Sequence, residues 1–394
     1  MLVLGSGLGM YFSIGIVLIY GFSVFITPIA EDTGWNRTSV AAVVAPVAFL
    51  NGLMAPVVGA LVDRYGPRAV LIVSSIAMAA GLVGVGLLPR DLPSFILAVV
   101  AASLLGSAQT GVPYTHVVVG WFQRQRGLAL GVMLSFVGLG IATVPPILSM
   151  IISGWGWRSA FVAAGIASML VTLPVALFII RDPPKRRHAQ EVTGYTLREA
   201  VATSSFWLMI GAFLFNYLAA AAGSISLPTI LEDRGMSAPG AAGAMTVVGA
   251  AFIAARLGFG ALLDRFPPTA LTCIFFLFPS VGHLLLASSD SVAAVYVSGI
   301  FFGLATGAEG DAMGYLLAKR FGMRSFGAIF GVNYFAFTCG AGLGPAALNT
   351  IAAEGTRYSE AFAIFTMLGM LAPILLVIDW GANRRQRSCV NSRR

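Results

Sequence analysis

The chain has 394 residues, of which 58% are hydrophobic and only 10% are charged. Soluble domains carry roughly 25% charged residues, so this composition excludes an ordinary soluble protein. Apolar stretches of about 20 residues recur from end to end, and this is the length that an α-helix needs to cross a bilayer. Runs of alternating polarity, which would indicate a membrane barrel, do not occur. The sequence therefore predicts an all-α membrane protein.

Twelve spans are predicted in chain order. They lie at residues 8–30, 39–62, 69–88, 94–121, 127–152, 159–180, 204–230, 240–262, 269–287, 291–318, 325–351 and 360–379. The polar stretches divide the chain into an N-terminal six-helix bundle (1–180), a cytoplasmic linker (181–203), a C-terminal six-helix bundle (204–380) and a basic cytoplasmic tail (381–394).

The basic residues predict the orientation. With both termini in the cytoplasm, five arginines fall in outer loops, namely Arg37, Arg90, Arg158, Arg234 and Arg357. The inner loops and the tail then hold Arg64, Arg68, Arg124, Arg126, Arg181, Lys185, Arg186, Arg187, Arg198, Arg265, Lys319, Arg320, Arg324, Arg384, Arg385, Arg387, Arg393 and Arg394. This asymmetry follows the positive-inside rule and predicts a multi-pass protein of the cell inner membrane. Anionic lipid accounts for the net charge of +8, so no nucleic-acid partner is expected.

The two halves of the chain repeat each other at an offset of 200 or 201 residues. GALVDRYGP (59–67) matches GALLDRFPP (260–268), Pro28 matches Pro228, and Pro145 matches Pro345. Internal repeats of this kind are typical of secondary transporters, in which the substrate site lies near the bilayer midplane at the interface of the repeats.

The loop between spans 2 and 3 resembles the signature loop of the major facilitator superfamily. It reads GALVDRYGPR, with Gly59, Asp63, Arg64, Gly66 and Arg68 at the matching positions. EDTGWNRTSV after span 1, ARLGFG in span 8 and YTLREAVATSSFW at the start of span 7 resemble bacterial monocarboxylate and oxalate:formate transporters. The resemblance implies the major facilitator fold, twelve helices in two pseudo-symmetric six-helix bundles, with spans 8 and 10 as neighbours.

Three charged residues lie well inside predicted spans, Arg256 on span 8 and Glu309 and Asp311 on span 10. Such charges are costly in lipid and usually functional. Arg256 and Asp311 each stand eight residues before a cytoplasmic charged residue, so they share a depth and an ion pair between them is possible. The resemblance implies that Arg256 binds the substrate carboxylate, and a planar guanidinium suits that role. The alternative is a closed pair that only fixes helix packing.

The family pattern is not complete in this chain. Animal monocarboxylate transporters have an aspartate one turn before the arginine, where this chain has Phe252, and spans 1 and 11 contain no lysine. Glu309 and Asp311 project about 200° apart on a helix, so one of them is expected to face the cavity. We expect that carboxyl to carry the coupling proton, because burial beside a second acid favours the neutral form. A purely structural role for either acid remains open.

Weaker candidates surround this charged set. His116 on span 4 shares the depth of Arg256 and is an alternative proton carrier, although a hydrogen-bonded core histidine would look the same. His283 is expected on a peripheral helix. Further expected substrate contacts are Tyr114, His116, Asn333, Tyr334, Phe335 and Cys339. Asn216 and Tyr217 on span 7 also suit a pocket for a small substrate, and Gln109 is expected near His116. The expected gating residues are Asp63, Arg64, Arg68, Asp264 and Arg265, with the two aspartates paired to basic residues.

These features favour secondary transport of small monocarboxylates with protons, with exchange of organic anions as the alternative. An intramembrane enzyme would need a nucleophile with its base or a metal cluster, and the three scattered histidines support neither. A sensor would be expected to carry a soluble output domain. Cys273, Cys339 and Cys389 are too few and scattered for a disulfide or metal framework. We therefore expect no cofactor and no metal, and a monomer whose partners are an organic acid anion, protons and membrane lipids.

Overall fold

The computed structural model describes residues 1–123, 125–183, 194–233, 238–289, 291–353 and 358–391. Within these ranges, ten helical segments are long and apolar enough to cross a membrane. One of them, 126–179, has 54 residues and provides two crossings, and an interrupted helix at 92–121 provides another. The predicted twelve-helix fold is therefore confirmed. Arg124, most of the linker (184–193), Arg234, Arg357 and the end of the tail (392–394) lie outside the described residues.

The crossings are numbered here in chain order. They are α1 (Leu2–Val24), α2 (Arg37–Tyr65), α3 (Pro67–Leu87), α4 (Leu92–Leu105 and Gly111–Trp121), α5 (126–155), α6 (157–179), α7 (Ser204–Asp233), α8 (Ala238–Leu263), α9 (Pro268–Ser288), α10 (Val292–Phe321), α11 (Phe326–Ala353) and α12 (Tyr358–Asn391).

Two glycines with positive φ separate consecutive helices. Gly66 (φ 84°) ends α2, and Pro67 then occupies the first turn of α3, where a missing N–H costs nothing. Gly156 (φ 80°) separates α5 from α6 in the same way. Only glycine adopts this backbone region without strain, so at both places one helix ends and the next begins at a single residue.

Spans 1 and 4 are interrupted, and the prediction of one continuous helix over 94–121 is wrong. The first half of α4 ends before Gly106, and the second half begins after Thr110, whose backbone is extended (φ −132°, ψ −178°). Alongside, α1 loses regular α-helix after Tyr11 and continues as a π-helical turn from Ile16. The Ile14 N–H donates to the Gln109 carbonyl at 3.1 Å. The two breaks thus satisfy each other's backbone groups, as lipid requires.

The chain forms two compact units. The first unit comprises Met1–Gln123, Val132–Gly194 and Gly322–Phe335, and the second comprises Arg124–Gly131, Tyr195–Phe321 and Ala336–Arg394. The core of the first unit includes Phe22, Phe25, Phe95 and Phe161.

The core of the second unit encloses His283. The residue is fully buried, its Nε2 lies 2.9 Å from the Ala219 carbonyl oxygen, and its ring lies against Phe302, Phe362 and Phe365. The histidine thus points into the bundle, while other faces of α9 are exposed.

Candidate functional site

Helices α8 and α10 approach closely because glycines of α10 lie against the backbone of α8. A Cβ atom at Gly303 would collide with the Val248 carbonyl, and one at Gly307 would collide with the Phe252 carbonyl. Small residues at a membrane helix interface allow this approach. The spans expected to be neighbours are therefore in direct contact, and their side chains can meet.

The expected ion pair is confirmed. Arg256 Nη1 lies 3.4 Å from Asp311 Oδ1, and both side chains are almost fully buried. Arg256 Cζ also lies 4.8 Å from the centre of the Phe252 ring, a cation–π contact at the place where animal relatives are expected to have an aspartate. Arg256 Nε and Asp311 Oδ2 have no hydrogen-bond partner in the described structure. The guanidinium is thus held by one long ion pair and retains free donor capacity.

Glu309 points away from Asp311, toward a different helix. Its Oε2 accepts a hydrogen bond of 2.8 Å from Asn216 Nδ2 on α7, while Asp311 reaches α8. This divergence agrees with the 200° separation expected for residues two apart on a helix. Glu309 Oε1 and Asn216 Oδ1 are buried without a partner in the described structure. Asp311 is therefore the acid that lies in contact with Arg256.

The structure places Tyr114 in the packing of the first unit. The residue is 1% exposed, and its hydroxyl donates to Gln109 Oε1 at 2.7 Å. Gln109 Nε2 in turn donates to Ser75 Oγ and to the Leu71 carbonyl on α3. Gln109 therefore ties the break in α4 to the neighbouring helix. The hydroxyl of Tyr114 is engaged in that network, and contact with substrate stays a prediction.

The acid of the loop signature, Asp63, caps a helix. The Asp63 carboxylate accepts hydrogen bonds of 2.8 Å from the backbone N–H groups of Gly327 and Ala328, at the start of α11. His116 Nε2 lies 3.6 Å from Asp63 Oδ1, and its ring lies 5.8 Å from that of Phe326. Asp63 thus contacts a helix N-terminus and a histidine, and its pairing with a basic residue during gating stays a prediction. His116 Nδ1 is buried without a partner.

Asp264 makes the equivalent contacts in the second unit. Its two carboxylate oxygens accept from the N–H groups of Gly127 and Leu128 at 3.0 Å each, at the start of α5. Glycine lets α8 approach the start of α5 closely, since a Cβ atom at Gly260 would meet the Gly127 carbonyl. A carboxylate at a helix N-terminus is stabilised by the helix dipole as well as by its hydrogen bonds.

The other predicted gating residues differ in their surroundings. Arg68 donates to the Leu177 carbonyl at 2.7 Å, and its backbone N–H donates to Asp182 at 3.0 Å. Arg64 is exposed beside the ring of Tyr65, and Arg265 is exposed.

Four predicted substrate contacts lie on α11, three of them in the first unit and one in the second. Asn333 is fully buried and donates to the Ile329 carbonyl, while its Oδ1 has no partner in the described structure. Tyr334 stacks near Phe330, and the Phe335 ring lies 6.2 Å from that of Phe49. Cys339, in the second unit, is a half-buried free thiol. The role of these residues in binding stays a prediction.

Comparison with known proteins adds the following. A model of the Major Facilitator Superfamily matches residues 3–345. Monocarboxylate transporter 3 of Rattus norvegicus is 25% identical over 91% of this chain and 76% of its own length. The oxalate:formate antiporter of Oxalobacter formigenes is 24% identical over 49% of this chain and 47% of its own. The solved fucose:proton symporter FucP of Escherichia coli shares the fold, with a TM-score of 0.74 at 13% identity, covering 96% of this chain and 98% of that one.

Proposed function

We propose that this chain, a membrane transporter that belongs to the Major Facilitator Superfamily, carries small monocarboxylate anions by alternating access, coupled to protons. The buried pair of Arg256 and Asp311 is the observation that carries the proposal. Exchange of organic anions, as in an oxalate:formate antiporter, is the alternative. The protein acts as a monomer in the cell inner membrane with both termini in the cytoplasm.

Arg256 is suited to bind a carboxylate because its present contacts are weak. The ion pair with Asp311 is long, at 3.4 Å, and involves one nitrogen, whereas a substrate carboxylate can accept two parallel bonds from a guanidinium. The site is also shielded from water, since Arg256 is 8% exposed, and shielding strengthens such bonds. A substrate anion would therefore compete directly with Asp311 for the same group.

The charges of the site explain why a proton would be required. Arg256 contributes one positive charge, while Glu309 and Asp311 would contribute two negative charges if both were ionised. A site with a net negative charge binds an anion poorly. Protonation of Asp311 removes one negative charge and frees Arg256 at the same time. Proton binding and substrate binding then assist each other, and linkage makes the effect reciprocal.

The names of the relatives support the substrate class. Both aligned carriers are named for small carboxylates, and the match to the rat monocarboxylate transporter extends over most of the chain. The capped helices at Asp63 and Asp264 serve as gates, together with Arg64, Arg68 and Arg265. Breaking the two carboxylate–backbone contacts would let α11 and α5 move during the cycle.

Uptake into proteoliposomes tests the proposal. Labelled lactate, pyruvate, formate and oxalate are offered with and without an inward proton gradient. We expect the gradient to drive accumulation of at least one monocarboxylate. Stimulation by internal anion with no effect of the gradient would instead favour exchange.

Two matched variants distinguish the roles of Asp311 and Glu309 in proton coupling. Asp311→Asn should mimic the protonated state, so anion exchange should survive while uphill accumulation is lost. Glu309→Gln lies two residues away and bonds Asn216, so it should retain more coupling. If both variants still concentrate substrate, the proton is carried elsewhere, with His116 as the next candidate.

A further inference from the structure

A groove lies between α3 and α6 of the first unit, at the ends that the distribution of arginines predicts to face outward. Its volume is about 720 Å³. Its lining includes Leu87, Arg90, Arg158, Ser159, Ala163 and Ile166. None of these residues belongs to the candidate transport site, so the groove needs its own explanation.

The groove has an apolar wall that follows one face of α6. Ser159, Val162, Ala163 and Ile166 are spaced at positions i, i+3, i+4 and i+7 and therefore lie in one row. Seven residues of helix extend the wall by about 10 Å along the helix axis. Opposite this wall, Leu87 of α3 is 68% exposed. The wall can accommodate a hydrocarbon chain that runs parallel to α6.

Two arginines line the same groove. The Arg158 guanidinium donates to the Pro89 carbonyl at 3.2 Å and lies 4.3 Å from the Trp157 ring centre. These partners are uncharged. Arg90 is exposed, and neither arginine makes an ion pair within the described part of the chain.

The nearby acids are engaged elsewhere. Asp91 caps the first half of α4 by accepting from the Ser94 N–H at 2.8 Å, and these bonds to Ser94 hold the pKa of the Asp91 carboxyl below its ordinary value. Asp32 accepts from the Trp157 indole at 2.8 Å. The two positive charges of the groove therefore lack a carboxylate partner in the described structure.

A third outer arginine provides the contrast. Arg37 is the other predicted outer arginine within the described residues, and it pairs with Glu31 at 3.0 Å. The two arginines that lack such a partner are the two that line the groove. A positive charge beside exposed apolar surface is best neutralised by a ligand that brings its own anion and its own hydrocarbon.

We infer that the groove binds one anionic phospholipid of the outer leaflet. The lipid phosphate lies across Arg90 and Arg158, and an acyl chain lies along the row from Ser159 to Ile166. Arginine is suited to bidentate recognition of phosphate, and charged lipid headgroups attract basic residues at the surface. Trp155, which is 75% exposed, lies near the same end, where tryptophan commonly marks the membrane interface.

Native mass spectrometry of the purified protein tests the inference. Protein in nanodiscs of phosphatidylcholine with added phosphatidylglycerol should retain phosphatidylglycerol preferentially. Arg90→Gln should weaken the retention of phosphatidylglycerol about fivefold, because it removes one basic residue near the membrane surface. Arg37→Gln is the matched control and should leave retention unchanged. Ala163→Phe should also lower retention, because it fills the apolar wall without altering charge.

Several outcomes would overturn the inference. These are equal retention of the two lipids, equal losses in Arg90→Gln and Arg37→Gln, or no effect of Ala163→Phe in a protein that elutes as folded. Displacement of the lipid by inorganic phosphate would show that the arginines bind a free anion and that the apolar wall contributes nothing.

Discussion

Replacing Asp63 by asparagine should loosen the start of α11 specifically. In the structure, both carboxylate oxygens of Asp63 accept backbone hydrogen bonds of 2.8 Å, from Gly327 and Ala328. An asparagine of the same shape can keep one of these bonds. Its amide NH₂ group would then face the second N–H, and two donors cannot bond each other. Asp63→Asn therefore removes one charge-assisted bond without changing the packing volume.

The free energy lost in Asp63→Asn follows from the type of hydrogen bond that is removed. A hydrogen bond to a charged group contributes about 1.5–3 kcal/mol, and a charge at a helix N-terminus adds about 0.3–1 kcal/mol. Asp63 is 13% exposed, so solvent compensates little of the loss. A net loss of about 2 kcal/mol corresponds to about a 30-fold increase in the open population at this end of α11. Asp264→Asn should have a smaller effect, because its two bonds are longer, at 3.0 Å each.

Hydrogen–deuterium exchange measures this change where it occurs. In Asp63→Asn, the amides of Gly327 and Ala328 should exchange about 30-fold faster, as calculated from the lost bond. The amides of Gly127 and Leu128, which Asp264 holds, should exchange at the wild-type rate and serve as the internal control. Asp264→Asn should give the reverse pattern.

The same variant should alter transport in a defined way. Turnover should fall in Asp63→Asn, while the substrate affinity of the accessible state should change little, because the carboxylate of Asp63 is engaged with the backbone at the start of α11. Unchanged exchange at Gly327 would refute the structural reasoning. Faster exchange with unaltered turnover would show that the cap is formed but is dispensable for the cycle.

Two further predictions concern other parts of the site. Arg256→Lys should lower transport at least about tenfold despite keeping the charge, since an ammonium lacks the planar fork; normal uptake by the folded variant would exclude Arg256 as the clamp. Gly307→Val should separate α8 from α10 and lower both thermal stability and uptake, whereas Gly249→Val, where a Cβ atom meets nothing within 4 Å, should be tolerated.

Much of the fold and the central ion pair could be predicted from the sequence because lipid imposes simple rules. Long apolar runs must be helices, and a buried charge needs a partner. Counting residues from the cytoplasmic end placed Arg256 and Asp311 at one depth, and the structure places them 3.4 Å apart.

The distance of a residue from the membrane surface is only one of its three coordinates. The sequence therefore predicts less well which residues lie next to each other. His116 has the same depth by that count, yet it lies 3.6 Å from Asp63, close to the end of α2. The count fails for His116 because α4 ends at Trp121, before Arg124, from which the depth was counted. The direction in which a residue points around its helix, and the identity of the neighbouring helix, cannot be read from its distance to the membrane surface. The break in α4 was missed because GSAQT is short and uncharged and lies between two apolar stretches, and the bonds that stabilise the break involve α1 and α3.

The backbone partners of Asp63 and Asp264 were missed because a main-chain N–H group cannot be recognised from residue types in the sequence. A signal was nevertheless present in the repeat. Asp63 and Asp264 differ by 201 positions, and the glycines that they hold, Gly327 and Gly127, differ by 200. When the two halves of a chain repeat a contact, both residues of that contact recur about 200 positions later. This holds for the glycine as well as for the aspartate, although the glycine has no distinctive side chain. A glycine that repeats at the offset of a charged signature therefore indicates a backbone partner for that charge, because glycine lets two helix backbones approach closely, as Gly327 does beside Gly59 and Gly127 beside Gly260.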